Sequence, residues 1–152
     1  MNDAYPECGG DVMQYVCDAG ELTWFRLETT GEAAVESQAM EHAVEKYFAQ
    51  AYGEAVKSYA PPASVPAMEQ NIGLKDHIAR TMPRFLTLRK NDGTAVVTAM
   101  LPPEGRDLRA LRPVIVGHGN SDPYVDHSDA IEALGRHVQL DLDRDVCFPY
   151  RR

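Results

Sequence analysis

The segment RFLTLRKNDGTAVVTAML (residues 84–101) carries the pattern of a β-hairpin. Both of its halves are rich in the apolar and β-branched residues that favour strands. Between them, Asp92-Gly93 provides the positive φ angle that a tight hairpin turn needs. We therefore predict strands at residues 84–89 and 94–101, joined by a turn at residues 90–93.

A second hairpin is predicted nearer the N-terminus, with strands at residues 11–17 and 21–29 around the turn CDAG (17–20). Successive side chains of a strand point to opposite faces of its sheet. Trp24 and Phe25 therefore lie on different faces, and one of the two rings is expected to be exposed and able to meet a partner.

The region between the hairpins is predicted to be helical. Thr29 and Glu32 have the spacing of a capping box, in which their side chains bind the free backbone N–H groups of a helix start. Apolar residues then recur every three or four positions, which predicts one long helix over residues 32–59. His42 and Glu45 fall on its solvated side. The proline-rich residues 60–66 end this helix, because proline lacks a backbone donor.

The C-terminal half mixes short helices and strands. We predict a helix at residues 73–81, a strand at 113–116, a helix from Asp126 or Ser128 to about His137, and an alternating strand at 138–142. The chain is therefore expected to be an α+β single domain over residues 1–152. A mainly antiparallel sheet would pack against the long helix and a shorter C-terminal helix. Its parts are an N-terminal hairpin (1–30), the long helix (31–59), a proline-rich connection (60–67) and an α+β remainder (68–152).

Composition narrows the class of protein. No apolar run approaches the roughly 20 residues that cross a bilayer, and residues 1–6 lack the pattern of a signal peptide. Three cysteines, an odd count, do not suggest a secreted disulfide framework. We expect a soluble, cytoplasmic protein with reduced thiols. The net charge of −8 argues against nucleic-acid binding, which depends on neutralising phosphates.

Charge is distributed unevenly along the chain. Residues 1–57 carry 3 basic and 11 acidic side chains, whereas residues 75–112 carry 8 basic and 4 acidic ones. An acidic face could meet a basic partner, and the central basic segment could meet a small anion. Ordinary solvated surface is the alternative for both.

The loop GHGNSDPYVDH (117–127) follows an apolar strand and is the densest cluster of chemically capable side chains. His118, His127 and Asp122 are candidate ligands for a divalent transition metal such as zinc. Asp122 or Asp126 could then serve as a general base toward metal-bound water. Ser121 with a histidine and an aspartate also supplies the residue types of a hydrolase triad. A solvent-facing turn, with Asp126 capping the next helix, is the alternative.

The same loop could bind an anion without a metal. Gly117 and Gly119 allow a ligand to approach the backbone closely, and the N–H groups there could hold a phosphate or carboxylate. Arg109 and Arg112, a few residues earlier, could supply positive charge.

The six residues YPECGG (5–10) resemble one knuckle of a zinc ribbon, in which Cys-Pro-x-Cys-Gly-Gly is common. Cys17 begins CDAG, where the second cysteine pair of a ribbon would lie. Four thiolates close such a site, but Tyr5 and Gly20 occupy two of the four ligand positions here. The resemblance implies a degenerate ribbon at Cys8 and Cys17, and a chance likeness of a Pro/Gly turn is the alternative.

These features favour a small accessory protein that binds another protein through its acidic face or its exposed aromatic residues. Its polar cluster lacks the reaction-specific spacing of catalytic motifs, so we expect binding rather than catalysis, with no cofactor and no membrane partner. The alternative function is a metal-dependent hydrolase built on the loop at residues 117–127.

Overall fold

The structure, a computed structural model, describes residues 13–61 and 63–148. In this part of the chain, five strands form one open antiparallel sheet, and they are ordered in space as they are in sequence. The strands are β1 (Gln14–Ala19), β2 (Leu22–Leu27), β3 (Arg84–Arg89), β4 (Ala95–Leu101) and β5 (Val114–Val116). Both predicted hairpins are present. Gly93 has a φ of 90° at the second turn, and the first turn lies at residues 20 and 21 instead of 17–20.

The same residues form helices α1 (Thr30–Met40), α2 (Val44–Ser58), α3 (Ala67–Thr81) and α4 (Tyr124–Val138). None of these described helices combines the length and the apolar content that crossing a membrane requires. The predicted capping box is confirmed. The Thr29 hydroxyl accepts a hydrogen bond from the Glu32 backbone N–H at 3.0 Å, and the Glu32 carboxylate accepts one from the Thr29 N–H at 3.1 Å. With these helices beside the sheet, the chain is an α+β domain.

The prediction of a single long helix over residues 32–59 is wrong, because the chain breaks between α1 and α2. Glu41 adopts the left-handed conformation, with a φ of 53°, and ends α1. The Ser37 hydroxyl then accepts a hydrogen bond from the Glu45 backbone N–H at 2.8 Å, which satisfies one of the free donors at the start of α2. The break turns His42 away from the solvated helix face where the sequence placed it.

Two other helix starts also differ from prediction. The helix predicted over 73–81 begins earlier, at Ala67. Helix α4 begins at Tyr124, before Asp126 and Ser128, because the Asp122 carboxylate accepts a hydrogen bond from the Tyr124 N–H at 2.9 Å. This side-chain contact binds one of the unpaired donors of the first helical turn.

The strand predicted at 138–142 is not formed. Helix α4 continues to Val138, and Gln139 ends it with a φ of 60°. The chain then folds back, so that the Leu140 N–H donates to the Gly135 carbonyl at 3.0 Å. A Cβ atom at Gly135 would lie 2.8 Å from the Leu140 carbonyl oxygen, so this return requires glycine.

Apolar clusters lie on both faces of the sheet. On one face, the largest buried side chain, Trp24, packs with Leu86 and Leu88 against Ile131 and Leu134 of α4. The other cluster joins strand residues to α1, α2 and α3; its members are Leu27, Ala33, Val44, Phe48, Ala55, Met82 and Phe85, with Ile78 packed against them. Alternation along each central strand sends successive side chains to the two clusters.

Candidate functional site

The first part of the predicted loop, residues 117–121, closes on itself. The Gly117 N–H donates to the Ser121 carbonyl at 2.8 Å, around one short 3-10 turn at His118–Asn120. Gly119 and Asn120 both have positive φ angles, 62° and 63°. The backbone therefore turns sharply after β5.

The side chains of this loop take separate partners. His118 Nε2 lies 3.1 Å from a carboxylate oxygen of Glu41, at the end of α1. Asp122 pairs with Arg144 and also caps α4. Asp126 is exposed and His127 is half-buried, both within the first turns of α4.

No three His, Cys, Asp or Glu side chains in residues 13–61 and 63–148 form a group that could hold a metal ion. The four metal and base candidates of the loop are thus not gathered into such a group. Ser121 is exposed, and no hydrogen bond joins it to an imidazole in the described part of the chain. Metal binding at His118, His127 and Asp122 stays a prediction.

The predicted anion-binding residues are also dispersed. Arg109 donates to the carboxylate of Asp107 at 2.7 and 3.0 Å. Arg112 donates to the carbonyls of Val146 and Cys147 at 2.8 and 2.9 Å, and its guanidinium lies 4.9 Å from the centre of the Phe148 ring. Arg112 therefore fastens the C-terminal segment beside β5. Two cavities, of about 830 and 480 Å³, have neither Gly117 nor Gly119 in their linings, whereas Arg109 lines the first of them.

Of the two cysteines assigned to a degenerate zinc ribbon, Cys8 lies outside the described residues. Cys17, on β1, is a half-buried free thiol. Burial, followed by the neighbouring charge of Asp18, raises the pKa of this thiol. The thiol therefore stays protonated to higher pH than usual, and the metal-binding thiolate forms less readily.

A different cavity lies beside the loop, between the start of α2 and the last two strands. We call it the His42 groove. It has a volume of about 480 Å³, and its lining residues include His42, Val44, Tyr47, Thr98, Met100, Val114, Val116, Asn120 and Phe148. Most of these side chains are apolar. Tyr47 and Phe148, which come from different elements, are 55% and 46% exposed.

Beneath the groove, four polar side chains form a continuous set of hydrogen bonds, which we call the Glu36 network. Glu36 is fully buried, and its carboxylate accepts bonds from Arg89 at 2.8 Å and from the Thr98 hydroxyl at 2.5 Å. Thr98 Oγ1 lies 2.8 Å from His42 Nε2. Because the single hydroxyl proton is donated to Glu36, the imidazole donates its Nε2 proton to Thr98.

Nothing matches the chain among protein-family models, curated proteins or solved structures. The geometry of the groove and the charges around it therefore provide the evidence for a function.

The Glu36 network has the wrong connectivity for a catalytic triad. In a triad the carboxylate orients the imidazole, and the imidazole takes the proton of the hydroxyl. Here the carboxylate binds the hydroxyl directly and is neutralised by Arg89. The imidazole Nδ1 faces the backbone N–H of Val44 at 3.4 Å, so both of its nitrogens have partners within the fold. The network joins α1 to β3 and β4 and gives the groove a neutral polar end.

Sequence patterns did not mark Glu36 as a functional residue. They placed His42 on the solvated side of a helix. The buried residues of α1 are Ala33, Glu36 and Met40, which follow the three- and four-residue spacing of a helix face. Phasing α1 on Ala33 and Met40 alone would have placed Glu36 on the buried face. No comparable signal marks His42, because the helix break that redirects it contains neither glycine nor proline.

His42 should make folding stability depend on pH. Burial, the largest cause, lowers the pKa of His42, and His118 adds to this, while a backbone contact and the Glu36 charge oppose it. Below about pH 6.5 an unfolded histidine takes up a proton that folded His42 resists. The stability that this difference provides is complete above that pH and is lost as the pH falls through the folded pKa.

We therefore expect the difference in free energy of unfolding between the wild-type protein and His42→Gln to decrease on acidification. Urea unfolding at about pH 7.5 and about pH 5.5, on either side of the unfolded pKa, should show the difference in free energy of unfolding shrinking at the lower pH. His137→Gln, at an exposed position of α4, is the matched control. A difference between wild type and His42→Gln that is constant or grows would contradict this assignment.

Proposed function

We propose that this chain is a small accessory protein that binds another protein, and that the His42 groove receives an apolar side chain of that partner. The observation that carries the proposal is the concave apolar surface of the groove, which no residue of the ranges 13–61 and 63–148 covers. Exposed aromatic residues of this kind are enriched among the residues that contribute most to protein–protein binding. Tyr47 and Phe148 are exposed aromatic residues that line the groove.

The size and polarity of the groove support an apolar side chain as the occupant. A volume of about 480 Å³ exceeds that of a single large side chain and leaves room for the backbone beside it. Burial lowers the pKa of His42, which keeps the imidazole neutral near pH 7, and Arg89 neutralises Glu36. A charged group entering the groove would therefore lose its water without gaining a counter-ion.

The surface next to the groove supports a partner segment that carries positive charge beside its apolar residue. Glu41 precedes His42, and its side chain is 72% exposed. Glu45 is exposed on the first turn of α2, between the groove residues Val44 and Tyr47. With a net charge of −8, the whole chain also attracts a basic partner over longer range.

The alternative function, a metal-dependent hydrolase at residues 117–127, remains an untested prediction. No observation described above favours it over protein binding. His118 contacts Glu41 and Asp122 pairs with Arg144, so both residues have structural roles in the fold.

A peptide-display selection against the full chain tests the proposal. Enriched peptides are expected to share one apolar side chain flanked by Lys or Arg. Tyr47→Ala should weaken binding of such a peptide by about thirtyfold, the effect of losing about 2 kcal/mol at an interface anchor. Tyr52→Ala is the matched control, because Tyr52 is an exposed tyrosine of the same helix that does not line the groove. Its affinity should change less than twofold.

Two results would contradict the proposal. One is a selection that enriches no common apolar residue. The other is a selected peptide that binds wild type, Tyr47→Ala and Phe148→Ala equally well, since that peptide would have to bind elsewhere. Circular dichroism of each variant checks that the fold is intact.

A further inference from the structure

A second cavity lies away from the His42 groove, at one end of the α4 face of the sheet. We call it the arginine cleft. Its volume is about 830 Å³, and its lining includes Arg26, Arg84 and Leu86 of the sheet, Glu104, Arg106, Asp107 and Arg109 of the loop after β4, and His137 at the end of α4. The sheet face that is apolar around Trp24 thus becomes basic toward this end.

Arg26 and Arg84 are neighbours on this face. Arg26 pairs with Leu86 in the sheet register, and Arg84 lies two residues before Leu86 on the same strand. Such diagonal neighbours have Cβ atoms about 7–8 Å apart, within reach of two long side chains for one shared ligand. In residues 13–61 and 63–148, Arg26 has no hydrogen-bond or ion-pair partner. Arg84 donates from Nε to the Pro102 carbonyl at 2.8 Å.

The two arginines repel each other in a partly dry site. Burial, followed by the charge of Arg26, lowers the pKa of Arg84, and Glu104 opposes this shift. Folding therefore holds two like charges close together. The negative charge of Glu104 offsets part of their repulsion at Arg84. A bound anion would relieve this repulsion.

The remaining charges of the cleft leave it basic. Asp107 is already bound by Arg109. Arg106 and His137 add further cationic or polar groups to the lining. The C-terminal end of α4 contributes roughly half of one negative elementary charge, which is less than the charge of either sheet arginine.

We propose that the arginine cleft binds a small phosphate monoester, with Arg26 and Arg84 both donating to its phosphoryl oxygens. Two guanidinium groups that line one cleft from neighbouring strands can match a dianion centred on one atom, and guanidinium donors fit phosphate geometry. The volume of about 830 Å³ is larger than a phosphoryl group needs and falls in the range of small-molecule sites, so an organic part can be enclosed as well. A nucleic-acid polymer is disfavoured, because the chain has a net charge of −8.

Calorimetric titration of the full chain tests this site, with phenyl phosphate as the probe and sodium chloride holding the ionic strength constant. Phenyl phosphate is expected to bind and to raise the unfolding temperature with increasing concentration. Arg26→Gln should weaken binding at least tenfold. Arg136→Gln is the matched control, because Arg136 is an exposed arginine of α4 that pairs with Glu132 outside the cleft, and its affinity should change less than twofold.

Two further measurements make the result decisive. In the absence of phenyl phosphate, Arg26→Gln should unfold at a temperature no lower than wild type, because it removes a repulsive charge and no ion pair. Arg26 is substituted instead of Arg84 because an Arg84 variant would also lose the hydrogen bond to the Pro102 carbonyl. Benzoate, which replaces the dianion by a single carboxylate, should bind at least tenfold more weakly than phenyl phosphate. The proposal is overturned by no saturable binding of phenyl phosphate, by binding that Arg26→Gln and Arg136→Gln weaken equally, or by benzoate binding as tightly.

Discussion

Glu36→Ala is expected to lower the free energy of unfolding by about 3–5 kcal/mol, the effect of removing one partner from a buried ion pair. The Glu36 side chain is 0% exposed and that of Arg89 is 15% exposed. Alanine would leave the Arg89 guanidinium without its carboxylate and the Thr98 hydroxyl without its acceptor. A loss of this size is a large part of the total stability of a typical domain, about 5–15 kcal/mol. Urea unfolding measures it.

A double variant separates the ion pair from the packing around it. Replacing both charges in Glu36→Leu/Arg89→Met leaves no uncompensated charge in the interior, so it should recover more than half of the stability that Glu36→Ala loses. If Glu36→Ala lost less than about 1 kcal/mol, the range typical of exposed ion pairs, the carboxylate would not be buried and paired as described.

Trp24→Ala is expected to destabilise the domain by about 3–5 kcal/mol, as large-to-small substitutions of buried aromatic residues do. Trp24 is fully buried between β2 and α4, in the same cluster as Leu88 and Leu134. Its indole N–H donates to the Ala130 carbonyl at 2.9 Å, a bond that ties the helix to the sheet. Thermal or urea unfolding followed by circular dichroism measures the loss, since this substitution removes the only tryptophan.

Trp24→Phe is the graded control, because it keeps most of the ring and loses the indole donor. It should cost about 1 kcal/mol for the hydrogen bond, together with a smaller packing loss than alanine causes. Phe25→Ala, at the half-buried neighbouring position, should cost less than Trp24→Ala. Equal losses at the two positions would contradict the placement of Trp24 in the central cluster.

The two hairpins and the first helix start were predictable because their signals are local. Asp92-Gly93 provides its own turn geometry, and Thr29 and Glu32 need only each other to cap α1. Such features depend on residues a few positions apart, so a short segment of the sequence is enough to recognise them.

The break in the predicted long helix was not predictable, because it depends on contacts between distant residues. Met40 and Val44 continue the apolar stripe across the break, and both are buried. The left-handed Glu41 is accompanied by the contact of His42 with Thr98, a residue 56 positions away. Here a tertiary contact outweighs the local helical pattern.

The predicted last strand failed for a related reason. Leu140 and Leu142 alternate with polar residues, which is the usual pattern of a half-buried strand. In the structure, Leu142 is buried against the α4 cluster from an irregular segment that returns over Gly135. Alternating burial therefore arose without a neighbouring strand.

The sequence predicted a candidate site within the loop after β5, whereas the His42 groove lies beside that loop. The loop after β5 does border the cavity, since Asn120 lines the His42 groove and His118 reaches Glu41. The groove is completed by α2 and by Phe148, which no spacing in the sequence links to the loop. The arginine cleft was likewise hidden, because Arg26 and Arg84 are 58 positions apart and meet through strand pairing.

A ¹H–¹⁵N correlation spectrum of the labelled chain, titrated with a display-selected peptide, tests partner binding at the His42 groove most directly. We expect saturable shifts of the amide signals of His42, Tyr47, Asn120 and Phe148. The indole N–H of Trp24, which lies on the opposite face of the sheet, should stay where it is. Shifts of the Trp24 indole and of α4, with the groove signals unchanged, would contradict the account.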